Sequence, residues 1–157
     1  MLSPRDLSDN FTWEEAVVTT HRDIPNELPA ELKNNVKMTA MKMETIRYFL
    51  RCPVSVLSWY RCELLNRKVG GAKNSDHMTG TAVDFAAYKY GTPLAIVKLL
   101  ANYADMLAFK QLILEHTWAH ISFDPTPGIP AKREVLTLLQ DKTYARGITD
   151  KYGVAVV

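Results

Sequence analysis

Cysteine is scarce in this chain: Cys52 and Cys62 are the only two in 157 residues. That excludes a disulfide-stapled scaffold and an all-cysteine zinc site. Glycine (7) and proline (8) are too few for a fibrous or low-complexity chain. No apolar run approaches the ~20 residues needed to span a bilayer. The N-terminus, MLSPRDLSDNFTWEE, has no basic start followed by an apolar stretch, so no secretory signal is legible. The expectation is synthesis in the cytoplasm with both thiols reduced, buried in or beside strands. An excess of one charge sign is also missing, with 19 basic residues against 17 acidic ones and a net charge of +2. A general nucleic-acid binder, which needs clustered Lys and Arg, is not indicated. Histidine is nearly as rare as cysteine, at His21, His77, His116 and His120.

What is present is an ordinary globular composition, 47% hydrophobic and 23% charged. The length fits one domain with a buried core, and no repeat or linker divides it. Thr12 and Glu15 form a capping box, so a short helix starts near Trp13. Leu32, Val36, Met43, Ile46 and Leu50 make one apolar stripe, which predicts a helix over Ala30 to Leu50. Val54 to Tyr60 alternates as a strand, with Ser55, Leu57 and Trp59 on one face. Thr81 to Tyr88 reads as a second strand. Thr92 before Pro93 is an N-cap with proline at the first helical position, and that helix runs to about Met106. Gln111 to Leu114 and Trp118 to Phe123 read as two strands joined by a short turn. Val135 to Leu139 could be helix or strand. The expected class is α+β, with a small antiparallel sheet packed against several helices.

Asp84 lies mid-strand between Ala82 and Ala86, where a carboxylate is costly to bury unless it is paired or bound to a metal. The two alanines leave room beside it. His120 shares the more polar face of its strand with Trp118 and Ser122, while Ile121 and Phe123 face the core. His77 stands just before Gly80 in the polar loop KNSDHMTG. Its offset of seven from Asp84 would put the two on opposite faces of a straight strand, and the loop allows the turn that unites them. Two imidazoles and a carboxylate make a three-ligand zinc site with an open fourth position, the pattern of a catalytic zinc. Singly, each of these residues reads as a hydrogen-bonded histidine or a paired aspartate. Jointly, the metal and structural readings stand level on these residues alone.

The stretch YRCELLNRKVGGAKNSDHMTGTAVDF resembles the central motif of zinc D-Ala-D-Ala carboxypeptidases and phage endolysin peptidases, which share the hedgehog-like fold. Tyr60-Arg61, Leu65-Asn66 and Gly70-Gly71 match the upstream elements, and Ser75, His77, Gly80, Ala82 and Asp84 match the core. Glu115, Trp118 and His120 match the second block. The resemblance spans most of residues 8 to 147. It implies a zinc-dependent peptidoglycan peptidase, with His77, Asp84 and His120 holding Zn2+. Glu115 would be the general base. Arg61 would bind substrate and stabilise the oxyanion. Ser75 would orient the substrate or the loop carrying His77. Two departures stand out. Trp59 replaces a glycine common before the Tyr-Arg pair, and Thr117 occupies the place where some relatives carry the acid. Glu115 precedes His120 by five, so a turn or bulge at His116-Thr117 is required to bring both to one site.

On this reading residues 1–157 form a single zinc peptidase domain with no separate wall-binding module, acting as a monomer. The partner is bacterial peptidoglycan, reached through a holin lesion or from a virion. The chain would then be a phage endolysin or virion-associated lytic protein. Two other readings are a non-catalytic virion or wall-binding protein that keeps the fold, and an intracellular D,D-dipeptidase.

Overall fold

Local capping signals set where the first elements begin. In the computed structural model, which describes residues 5–156, the Thr12 hydroxyl accepts from Glu15 N and the Glu15 carboxylate accepts from Thr12 N. This capping box opens α1, Trp13–Ala16. The expected long helix is a 3-10 turn, Ala30–Leu32, running into α2, Lys33–Leu50. Val36, Ala40, Met43, Ile46 and Leu50 lie buried along one side of α2. Arg51, in the left-handed region at φ 52°, ends it ahead of Pro53.

Next come β1 (Ser55–Ser58), α3 (Glu63–Lys68), a 3-10 turn (Asp76–Thr79) and β2 (Ala82–Ala86). They are followed by α4 (Pro93–Ala101), α5 (Ala104–Leu107), β3 (Gln111–Leu114), β4 (Ala119–Ser122), β5 (Glu134–Leu138) and β6 (Tyr144–Arg146). The six strands form one sheet in the order β1-β2-β4-β3-β5-β6. Every pairing is antiparallel except β3 with β5. The α+β class therefore holds, and one parallel pairing qualifies the antiparallel sheet.

Strand alternation separates the sheet's two faces. Val83, Phe85, Leu112, Ala119 and Ile121 belong to the core with Val36, Met43 and Ile46 of α2 and Ile96, Val97 and Leu100 of α4. Asp84, His120 and Ser122 alternate with them and occupy the other face.

Three expectations are corrected and one open alternative is resolved. A register shift between Val56 and Ser58 breaks the alternation in β1. Leu57 is consequently exposed while Trp59, expected on the same face, is fully buried against Phe11. The helix begun by Thr92 stops at Ala101 instead of reaching Met106, and Tyr103 in the break stacks on Phe49 with ring centroids 4.2 Å apart. The ambiguous tail segment is strand β5, paired with β3. Finally, neither thiol is fully buried in or beside a strand. Cys52 and Cys62 are half-buried and unbonded to each other, and Cys62 Sγ accepts from Leu65 N as the N-cap of α3. Among the described residues no helix is long and apolar enough to cross a membrane.

Candidate metal centre

The loop between α3 and β2 delivers His77. The Ser75 hydroxyl accepts from His77 N at 3.3 Å and caps the 3-10 turn. Gly80 ends that turn at φ 73°, a left-handed conformation that favours glycine. A Cβ at Gly80 would also lie 2.7 Å from Val36 Cγ2, so the loop packs directly on α2. This tight reversal overcomes the odd offset between His77 and Asp84.

Trp59 holds both ends of the reversal. Its indole N–H donates to Gly80 O at 3.0 Å, and its carbonyl lies 2.6 Å from His77 Nδ1. A carbonyl only accepts, so Nδ1 carries the proton and Nε2 offers a lone pair. That Nε2 is 3.2 Å from Asp84 Oδ1. Asp84 sits directly across from His120 in the β2–β4 pairing, and His120 Nδ1 is 2.8 Å from the same Oδ1. His77, Asp84 and His120 are 2%, 5% and 9% exposed.

Their three candidate ligand atoms lie within 4.8 Å of one another. Ligands at ~2.0–2.2 Å from a tetrahedral zinc are about 3.3–3.6 Å apart, so small side-chain adjustments close this set around one ion. The donor chemistry also fits. Burial, reinforced by the nearby charges of His120 and Arg61, lowers the His77 pKa despite Asp84, which favours the neutral imidazole a metal requires. Burial opposes the charge on Asp84, but His77 and His120 outweigh it and hold the carboxyl well below the usual carboxylate range.

Arg61 completes the wall. Its Nη2 is 2.6 Å from Asp84 Oδ2 and its Nε donates to Ser58 Oγ at 2.9 Å. The Arg61 backbone N–H donates to His77 O at 3.1 Å. Buried Asn26 fixes the same turn: its amide donates to Tyr60 O and Val17 O, and its Oδ1 accepts from Cys62 N.

Glu115 stands outside the ligand set but within its electric field. Glu115 N donates to Trp118 O at 3.1 Å, closing the turn over His116 and Thr117. Ile113 pairs with His120, so Glu115, two residues on, faces the same side as the histidine. The expected turn is therefore present. Burial and then the negative charge of Asp84 push the Glu115 carboxyl up to about 7, against opposing effects of His120 and Arg61. Trp118 offsets part of the rise, although its buried indole N–H meets no acceptor at hydrogen-bond geometry.

The structure thus gathers His77, Asp84, His120, Arg61 and Glu115, with Ser75 beneath His77. His116 is exposed in the turn and His21 lies far away in sequence on a half-buried loop. Sequence reasoning missed Asn26, the supporting use of Trp59, and Lys110, whose Nζ is 2.7 Å from Asp76 Oδ1 and braces the His77 turn from just before β3. None of them carries a spacing signal, because each acts across long sequence separations. Two surface cavities, one lined by residues such as Arg47 and Arg51 and one by Lys132 and Arg146, contain none of these groups.

A family profile described as Peptidase M15 matches residues 7–122, a segment that includes Arg61, Ser75, His77, Asp84, Glu115 and His120. No curated protein matches the chain.

Proposed function

The chain belongs to the peptidase M15 family, and from that premise we propose that it is a zinc-dependent peptidoglycan peptidase of the endolysin or virion-associated type. The observation that carries the reading is the convergence of His77, Asp84 and His120, with Glu115 and Arg61 beside them, inside the matched segment. His77 Nε2, an Asp84 oxygen and His120 Nδ1 would hold the ion. Zinc bound there supplies a Lewis acid and makes water acidic enough to ionise near pH 7.

The protein's own groups do the rest. The Trp59 carbonyl fixes the His77 tautomer and so keeps Nε2 available. Glu115, with a carboxyl pushed up to about 7, is suited to take a proton from water and return it to the leaving amine. Arg61, anchored by Asp84 and Ser58, keeps guanidinium N–H groups for the substrate oxygen that gains negative charge. Ser75 shapes the His77 turn, the second of the two roles expected for it.

The substrate assignment follows from the sequence resemblance: a peptide bond in or between wall stem peptides. Delivery through a holin lesion or a virion, a monomeric state and a single catalytic domain over residues 1–157 complete the proposal. The test is mass spectrometry of purified peptidoglycan digested with and without a zinc chelator. New amino termini that vanish with chelator and with His120→Ala are expected. Undiminished cleavage by His120→Ala removes the mechanism. Turnover of free D-Ala-D-Ala with intact wall untouched supports the dipeptidase reading instead.

A further inference from the structure

The face of the sheet that bears Asp84 and His120 does not stop at β3. It continues over β5 and β6, which lie beyond the matched residues 7–122. In register, Asp84 pairs with His120, His120 with Ile113, and Ile113 with Leu136. One step along, Glu115 is bonded to Trp118, Leu114 pairs with Thr137, and Leu138 pairs with Tyr144. Paired residues share a face, so Glu115, Leu138 and Tyr144 stand side by side on adjacent strands.

Tyr144 is thus two strand spacings, ~10 Å, from Glu115, with only Leu138 between them. Leu138 is half-buried, and one step back on the same face Ile113 and Leu136 are 6% and 9% exposed, with Arg146 beside Leu136 in β6. Tyr144 rises at the rim of this face, 54% exposed. Burial, then the negative charges of Glu115 and Asp84, push its hydroxyl up, so it keeps its proton and remains a donor while sensing both carboxylates. A peptide with its reacting bond at Glu115 has, on one side, Leu138 and then the Tyr144 phenol, with Arg146 next along β6.

We propose that β5 and β6 form a substrate shelf, with Tyr144 contacting the stem peptide through its ring and donating its hydroxyl to a stem carbonyl or carboxylate oxygen. The inference rests on the peptidase reading above for the identity of the ligand.

The test uses the full chain with purified disaccharide-linked stem peptide, measuring both steady-state cleavage and equilibrium binding. Tyr144→Ala is expected to raise KM and the dissociation constant by ~10-fold and leave kcat within about twofold. Tyr144→Phe, which loses one neutral hydrogen bond, is expected to raise both by ~3-fold. Zinc content and melting temperature should match the parent, as should all constants of Tyr152→Ala, an exposed tyrosine in the turn beyond β6. If the parent cleaves and Tyr144→Ala keeps its KM and dissociation constant, the shelf is refuted and the peptidase stands. If the parent binds the fragment in a Tyr144-dependent way without cleaving it, the shelf stands and the peptidase reading fails. Neither binding nor cleavage by the parent overturns both. A shifted acid limb of the pH profile with unchanged KM would assign Tyr144 to Glu115 rather than to substrate.

Discussion

Glu115 is held in two opposed environments. Burial and Asp84 favour its neutral form, whereas His120 and Arg61 favour its charged form, and the balance leaves its carboxyl at about 7. Between the ordinary value of 4.5 and about 7, the folded protein keeps a proton that the unfolded chain has released. Stability of the metal-free protein therefore falls as pH rises through this window. Replacing the group by Glu115→Gln is expected to stabilise the metal-free protein by on the order of 2–3 kcal/mol at pH 8, allowing for partial exposure, and by almost nothing at pH 4. Urea denaturation at both values checks this. The same variant should retain zinc while its cleavage rate drops ~10²–10⁴-fold, the contribution expected of a general base. Equal loss of zinc and rate would place Glu115 among the ligands instead.

At the scale of elements, the turn from Asp76 to Gly80 governs whether His77 reaches Asp84. Gly80→Ala combines a strained positive φ with a contact of 2.7 Å to Val36 Cγ2. The expected cost is ~1–3 kcal/mol, measured by denaturation, with weaker zinc binding in calorimetry because the turn must shift. Gly70→Ala is the contrast, since it has a similar φ but no atom within 4 Å of the added carbon. Its zinc affinity should stay at the parent value.

The parts of this turn show what the sequence makes legible. Short-range chemistry was readable: the Thr12–Glu15 box, Thr92 before Pro93, the stripe of α2, and the alternation that set Asp84 opposite Val83 and Phe85 and put His120 on the more polar face of its strand. The ligand set followed from residue type and spacing together with the resemblance. Long-range consequences were not readable. Nothing local near Val56 announces the register shift that sends Trp59 into the core, and with it the carbonyl that orients His77. Nothing near Tyr103 announces a helix break, because its stacking partner Phe49 is more than fifty residues away. Asn26 and Lys110 act on the site through contacts that only the assembled sheet creates.

For the whole molecule, the ligands come from a loop before β2 and from β2 and β4, so an ion would tie together segments far apart in the chain. Zinc at 100 times its dissociation constant should add ~2.7 kcal/mol of stability, or roughly 5–10 °C in melting temperature for a chain of this size. Thermal melts with and without chelator measure it, and an unchanged midpoint would show that the metal does not bind the folded state preferentially.

The parallel docking of β5 on β3 has a consequence for any shortened form of this protein. Gln111–Leu114 carries three apolar residues in four, and β5 satisfies the hydrogen-bonding groups along its outer side. A chain cut after Phe123 would keep every candidate ligand yet leave that border open as a template for another chain. Such a fragment is expected to self-associate, seen as early-eluting species in size-exclusion chromatography, with the full chain eluting as one small species. The segment beyond the family match would then act as a built-in guard against aggregation.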